Sequence, residues 1–187
     1  MSKPLFAYAK INARIMPVTR GERFEDPLSA ELERRSWGEI GGGGTMQAKD
    51  GEVEFCGLDI DLVETEKSIP FICEFLTQCG APKGSSLEYK ENGAKKALPF
   101  GNAEGLAVYL NGTDLPINVY KECDVNVVCK TLNKLLGKDL LYESDWQGPR
   151  ETALYYYGTS FITMRQAIMT FVDEYPLCQR CRIVQVA

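Results

Sequence analysis

The chain has 187 residues, 44% of them hydrophobic and 25% charged, with a formal net charge of −5. That is enough apolar material for one sizeable core or two small ones. The mild acidity, with no basic block or tail, argues against unaided binding to nucleic acid or to an anionic membrane, because both need clustered Lys and Arg.

The N-terminal stretch MSKPLFAYAK has no apolar h-region of the kind a secretion signal carries. It runs into a long strand, LFAYAKINARIM, with Leu5, Ala7, Ala9, Ile11, Ala13 and Ile15 on one face. Asp26-Pro27 then opens a short helix over Pro27 to Arg35, the proline suiting its first turn. WGEIGGGGTM and EVEFCGLDIDL form a hairpin around Lys49-Asp50-Gly51. A second helix presents Ile69, Ile72, Cys73, Leu76 and Cys79 and ends at Gly80 and Pro82, and SSLEYK is a closing strand.

Residues 91–103, with Gly, Pro and Asn, are expected to be a connection. Beyond it EGLAVYLNG is a strand, and 111–122 a longer loop with a short extra strand at Ile117 to Tyr120. Asp124 is a natural N-cap and Gly137 a natural stop for a helix with Val125, Val128, Cys129, Leu132, Leu135 and Leu136 on one face. LLYESDW and ETALYYYG are two strands joined around Gln147-Gly148-Pro149. A helix from Thr159 or Ser160, with Phe161, Met164, Ile168, Phe171, Val172 and Tyr175 inward, stops at Pro176, and CRIVQV is the last strand.

Both halves therefore read β-α-β-β-α-β, the ferredoxin-like order. The expected class is α+β: two tandem ferredoxin-like units, 1–95 and 96–187, or one compact pseudo-duplicated domain, each an antiparallel sheet with helices on one face.

Gly41-Gly42-Gly43-Gly44-Thr45 is the one run that suggests a ligand. A phosphate loop would need Lys directly after the last glycine and then a helix. Here Met46-Gln47 lead into a turn and another strand. The run reads first as a bent, bulged strand or a close backbone contact, and second as a backbone nest for an anion. The partner strand slips its apolar parity at Cys56-Gly57, where a bulge is expected.

The other constellations have ordinary readings. Cys178-Gln179-Arg180-Cys181 has no second Cys pair and no histidine to complete a zinc site. It also lies after a helix rather than at a helix N-terminus, where thiols are activated. Asp59 and Asp61, with Glu64 and Glu66 beyond, are the densest carboxylates. Lys10 and Arg14 on the first strand are expected to pair across to them. Tyr155-Tyr156-Tyr157 lack the basic and glycine residues of an RNA-stacking strand. Arg150 and Glu151 at a hairpin tip read as a solvated loop. With no histidine, Cys-His and Ser-His-Asp mechanisms are excluded within the chain.

Seven cysteines without a framework fit reduced thiols and a cytoplasmic location. The sequence thus points to a non-catalytic intracellular interaction module with a protein partner, no cofactor, no metal, no nucleic acid and no membrane; self-association is compatible with it. One alternative is a sensor or carrier holding a small molecule between the units, with 41–45 and 111–122 as walls. The lesser alternative is a histidine-free enzyme using Asp59 and Asp61.

Overall fold

The computed structural model describes residues 4–187. The protein is α+β and consists of two tandem ferredoxin-like units, one built from 1–48 and 53–103 and the other from 49–52 and 104–187.

In the first unit, β1 (Leu5–Ile11) is followed by a helical stretch of three pieces: α1 (Pro17–Arg20), a π-helical turn (Gly21–Glu25) and α2 (Asp26–Arg35). The hairpin β2 (Gly38–Gln47) and β3 (Val53–Leu62), α3 (Ser68–Gln78), β4 (Ser85–Glu91) and β5 (Ala94–Phe100) complete it. The sheet order is β2-β3-β1-β4-β5, antiparallel throughout. Ala7, Ala9 and Ile11 lie opposite Ile60, Leu58 and Cys56. These residues are buried, as are Phe24, Leu28 and Leu32 before β2 and Ile69, Ile72 and Leu76 on α3. Small residues on β1 let large ones from its neighbours fill the core between sheet and helices.

The second unit runs β6 (Glu104–Asn111), α4 (Ile117–Glu122), α5 (Val125–Leu136), β7 (Leu140–Gln147), β8 (Glu151–Gly158), α6 (Phe161–Glu174) and β9 (Arg182–Gln185), in the order β7-β8-β6-β9. Its core gathers Leu106, Val108 and Leu110 with Leu154 and Tyr156, beneath Val128, Leu132 and Leu136 of α5 and Met164, Ile168 and Val172 of α6. Asp124 caps α5 by accepting from the Asn126 amide at 2.8 Å, and Ser160 caps α6 by accepting from that of Thr163 at 3.3 Å.

Four local expectations are corrected. The segment 91–103 is not a plain connection: 94–100 form β5, paired along β4, and 96–103 belong with the first unit. The first helix begins at Pro17, ten residues before Pro27, because Phe24 carries the helical path into the core. Ile117 to Tyr120 are helical, not a strand. The Tyr120 hydroxyl accepts from the Leu115 amide at 2.9 Å and donates to the Asn111 carbonyl at 3.2 Å, which winds the chain tightly there. Finally, β3 is regular through Cys56 and Gly57. The bulges of this hairpin fall at Gly41 on β2 and at Glu54 on β3, and the second moves Val53 onto the buried side.

Candidate functional site

The glycine run forms the middle of β2, an edge strand whose only partner among the described residues is β3. Gly43 and Thr45 pair with Leu58 and Cys56 and so share their helix-side face. Gly42 and Gly44 pair with Asp59 and Gly57 on the opposite, helix-free face.

On the helix side the run is braced by Arg20, which ends α1 and is held there by the π-helical turn that follows. Its Nη1 donates to Thr45 Oγ1 at 3.2 Å, its Nε meets Glu25 Oε2 at 3.2 Å, and its side chain is 12% exposed. A Cβ on Gly43 would lie 3.2 Å from this guanidinium and 2.8 Å from the Gly57 carbonyl oxygen, so the packing requires glycine there. Next to it, burial pushes the Cys56 thiol up to about 12, against a smaller opposing pull from Arg20.

The helix-free side is different. A Cβ on Gly44 would meet nothing within 4 Å, and one on Gly42 or Gly41 would make only ordinary contacts, 3.8 Å from Asp59 Oδ2 and 3.5 Å from Asp61 Oδ2. None of these three has a left-handed backbone. Asp59 and Asp61 do share a face, as their spacing requires, but they lie opposite Tyr8 and Phe6. Lys10 is opposite Gly57, and its ammonium sits 4.3 Å from the Phe55 ring centroid. The register therefore sets Lys10 across from neither aspartate, and Arg14 lies beyond the last residue of β1. Tyr8 lies across Gly57, where a Cβ would collide with its ring. Burial, then the Asp59 charge, raises its phenol above the usual value. Glu64 is drawn away from the pair, its carboxylate accepting from the backbone amides of Lys67 and Ser68 at the start of α3, at 3.0–3.1 Å.

The two edges of this sheet are unlike. β5 carries Lys95, Lys96 and Pro99, the usual means of discouraging a further strand. β2 carries no lysine, arginine or proline, and Gly41, Gly43, Gly44 and Met46 on it are exposed.

The second unit holds the remaining sequence candidates. Cys178 and Cys181 sit in a turn after α6 with the Cys181 amide on the Cys178 carbonyl at 3.1 Å; burial, with Cys181 and Cys123 nearby, raises Cys178 to about 12. A thiol so shifted is a poor nucleophile at neutral pH. Among the described residues no group of three or more Cys, Asp or Glu could hold a metal. Tyr155 and Tyr157 lie on the helix-free face and Tyr156 on the core side; all three are buried. Tyr142 stacks on Tyr157 at 4.6 Å. Tyr109 and Tyr155 both donate to Glu52 Oε1 at 2.6 Å, an acceptor that sequence reading missed because 49–52 look like a plain turn. Arg182 binds Glu151 through two contacts, 2.7 and 3.1 Å, and covers the Tyr109 ring at 4.3 Å. The loop 111–116 closes on itself, Asn111 Oδ1 accepting from the amides of Thr113 and Asp114.

Among the described residues no helix is long and apolar enough to cross a membrane. No protein-family model matches the chain, and no curated protein matches it. Solved structures similar to it include a suggested monooxygenase of Lactobacillus acidophilus (9% identity, 100% of this chain and 95% of that one, TM-score 0.31). The first two RRM domains of the yeast poly(U)-binding protein Pub1 also align (13%, 97% and 99%, 0.29), as does an unknown protein of Galdieria sulphuraria (10%, 98% and 96%, 0.30). These scores are too low to bear on function, and the fold rests on the strand order itself.

Proposed function

We propose that the protein is a non-catalytic, intracellular protein-interaction module whose contact element is the β2 edge of the first unit. The observation that carries this reading is the contrast between the edges of one sheet. β5 is protected by two lysines and a proline, whereas β2 exposes its backbone edge without any such device. Strand addition supplies main-chain hydrogen bonds along such an edge and takes its selectivity from alternate side chains. Arg20, Thr45 and Glu25 hold β2 in place on its other side, so less ordering remains to be done on binding.

The test is affinity capture from native lysate at physiological salt, with wild type and Gly44→Lys side by side. Gly44 has free space for a side chain, so the variant is expected to fold with a thermal unfolding midpoint no lower than the wild type's, which is measured alongside. A near-stoichiometric protein that the wild type retains and Gly44→Lys loses is the expected result. A partner held equally by both, or no stoichiometric partner, would overturn the reading.

A further inference from the structure

We infer that the β2 edge receives an extended basic segment with lysine or arginine at alternate positions, and that Asp59 and Asp61 read those side chains across the glycines. This rests on the assignment of β2 as the contact edge.

Three observations converge on it. First, of the four consecutive glycines only Gly43 is demanded by its surroundings. Gly41, Gly42 and Gly44 have room for a side chain and ordinary backbone angles. Glycine inside a strand weakens it by about 0.5–1 kcal/mol relative to alanine; Gly41 is the bulge residue of β2, which leaves Gly42 and Gly44 as a standing cost that the fold does not explain. Strand glycines of this kind occur where another chain or a ligand approaches closely.

Second, the positions left empty are those beside the two aspartates. Gly42 is directly across from Asp59, and the side-chain directions of Gly42 and Gly41 point toward Asp59 Oδ2 and Asp61 Oδ2. A strand added outside β2 lies two strand spacings from β3, roughly 9.5 Å. A lysine or arginine stem together with an aspartate side chain spans that gap only if the residue between them has no side chain. Residues two apart on the added strand project to this face together, as Asp59 and Asp61 do.

Third, the charge is one-sided. The helix-free face of β2 and β3 presents Glu39, Phe55, Asp59 and Asp61 between its glycines and Met46, and no basic residue. On the neighbouring strand β1, Lys10 is turned onto Phe55, and Glu39 stands directly across from Asp61. Adjacent like charges are unfavourable until a cation comes between them.

Three synthetic peptides test this: one alternating Val and Lys, a copy with Gln for Lys, and a Lys copy N-methylated on alternate backbone amides. Binding is read by fluorescence anisotropy, and its location by hydrogen exchange over residues 38–47. The Lys peptide is expected to bind and to protect the β2 amides. The Gln copy should bind about tenfold more weakly or worse, and the N-methylated copy should not bind. The double variant Asp59→Asn/Asp61→Asn should erase the preference for Lys over Gln, and in the wild type that preference should narrow as salt rises.

Equal affinity for Lys and Gln peptides, with β2 protected, would overturn the charge reading and leave the edge assignment standing. Binding of the N-methylated copy without β2 protection would overturn both. Failure of every peptide, while lysate capture stays sensitive to Gly44→Lys, would overturn the basic segment alone. Sedimentation showing a dimer that Gly44→Lys dissociates would make a second copy of the chain the occupant and likewise overturn it.

Discussion

The two units follow one path through β-α-β-β-α-β and treat the helix-free faces of their sheets in opposite ways. In the first, β3 alternates: Cys56, Leu58, Ile60 and Leu62 are buried on one side, while Asp59 and Asp61 stay partly exposed on the other. Phe6, next to Asp61, is 54% exposed. In the second, β6 and β8 are apolar at both parities, and Ala107, Ala153, Tyr155 and Tyr157 are as buried as the core. One topology thus supports a two-sided strand and a one-sided strand, and the choice is written in side-chain alternation rather than in strand order. The difference also marks where function is to be sought: a face whose residues are already buried has little left to offer a partner.

The sharpest test of that contrast is a matched pair of truncations. Tyr157→Ala removes a fully buried ring stacked on Tyr142 and should destabilise the protein by about 3–5 kcal/mol. Asp61→Ala, on the corresponding face of the first unit, should change stability by no more than about 0.5 kcal/mol. Urea denaturation of both variants decides it, and similar losses would erase the distinction. A smaller effect is expected at Glu52, whose single oxygen serves two buried phenols. Glu52→Gln weakens two charge-assisted bonds and should lower stability by about 1.5–3 kcal/mol, while Asp59→Asn leaves it unchanged in the same assay.

A third comparison uses pH. Cys56 keeps its proton in the folded state to about 12, against an ordinary thiol value of 9.0. Above pH 9 the unfolded chain loses that proton and the folded one does not, so stability falls as pH rises. The slope is about 1.4 kcal/mol per pH unit until the folded value is reached. Cys56→Ala should flatten the decline between pH 9 and 10.5 in denaturation midpoints. The smallest effect separates neighbouring glycines. Gly43→Ala should destabilise by about 1 kcal/mol, because its methyl group meets Arg20 and the Gly57 carbonyl. Gly44→Ala should stabilise by about 0.4–1 kcal/mol, because the unfolded chain loses freedom and the folded one loses nothing. If both were destabilising, the glycines would be structural after all.

What the sequence made legible follows from the same physics. Strands and helices with one committed face were readable: Ala7, Ala9 and Ile11 on β1, or Val128, Leu132 and Leu136 on α5 behind an aspartate cap. β5 was not readable, because an edge strand with Lys95, Lys96 and Pro99 carries no alternation and takes its strand pairing from β4. α4 misled through its β-branched Ile117 and Val119, whose strand preference is outweighed by the local bonds of Tyr120. The parity slip in β3 was visible, but the extra residue is Glu54, two positions before the expected place. The glycine run was visible as a peculiarity. The role of Arg20 in bracing it was not, since a side chain 25 residues away along the chain leaves no periodic trace.

The glycines on β2 also bear on how such an edge stays in solution. Indiscriminate stacking of strands into fibrils favours segments of high β-propensity with few glycines. A strand whose centre is Gly41 to Gly44 offers its backbone but almost no side-chain surface for an identical strand to zip against. Its open edge therefore gains little from pairing with a copy of itself while its backbone stays available to another strand. The low propensity of the run sets a threshold, and only a strand that brings its own favourable side chains gains enough to cross it.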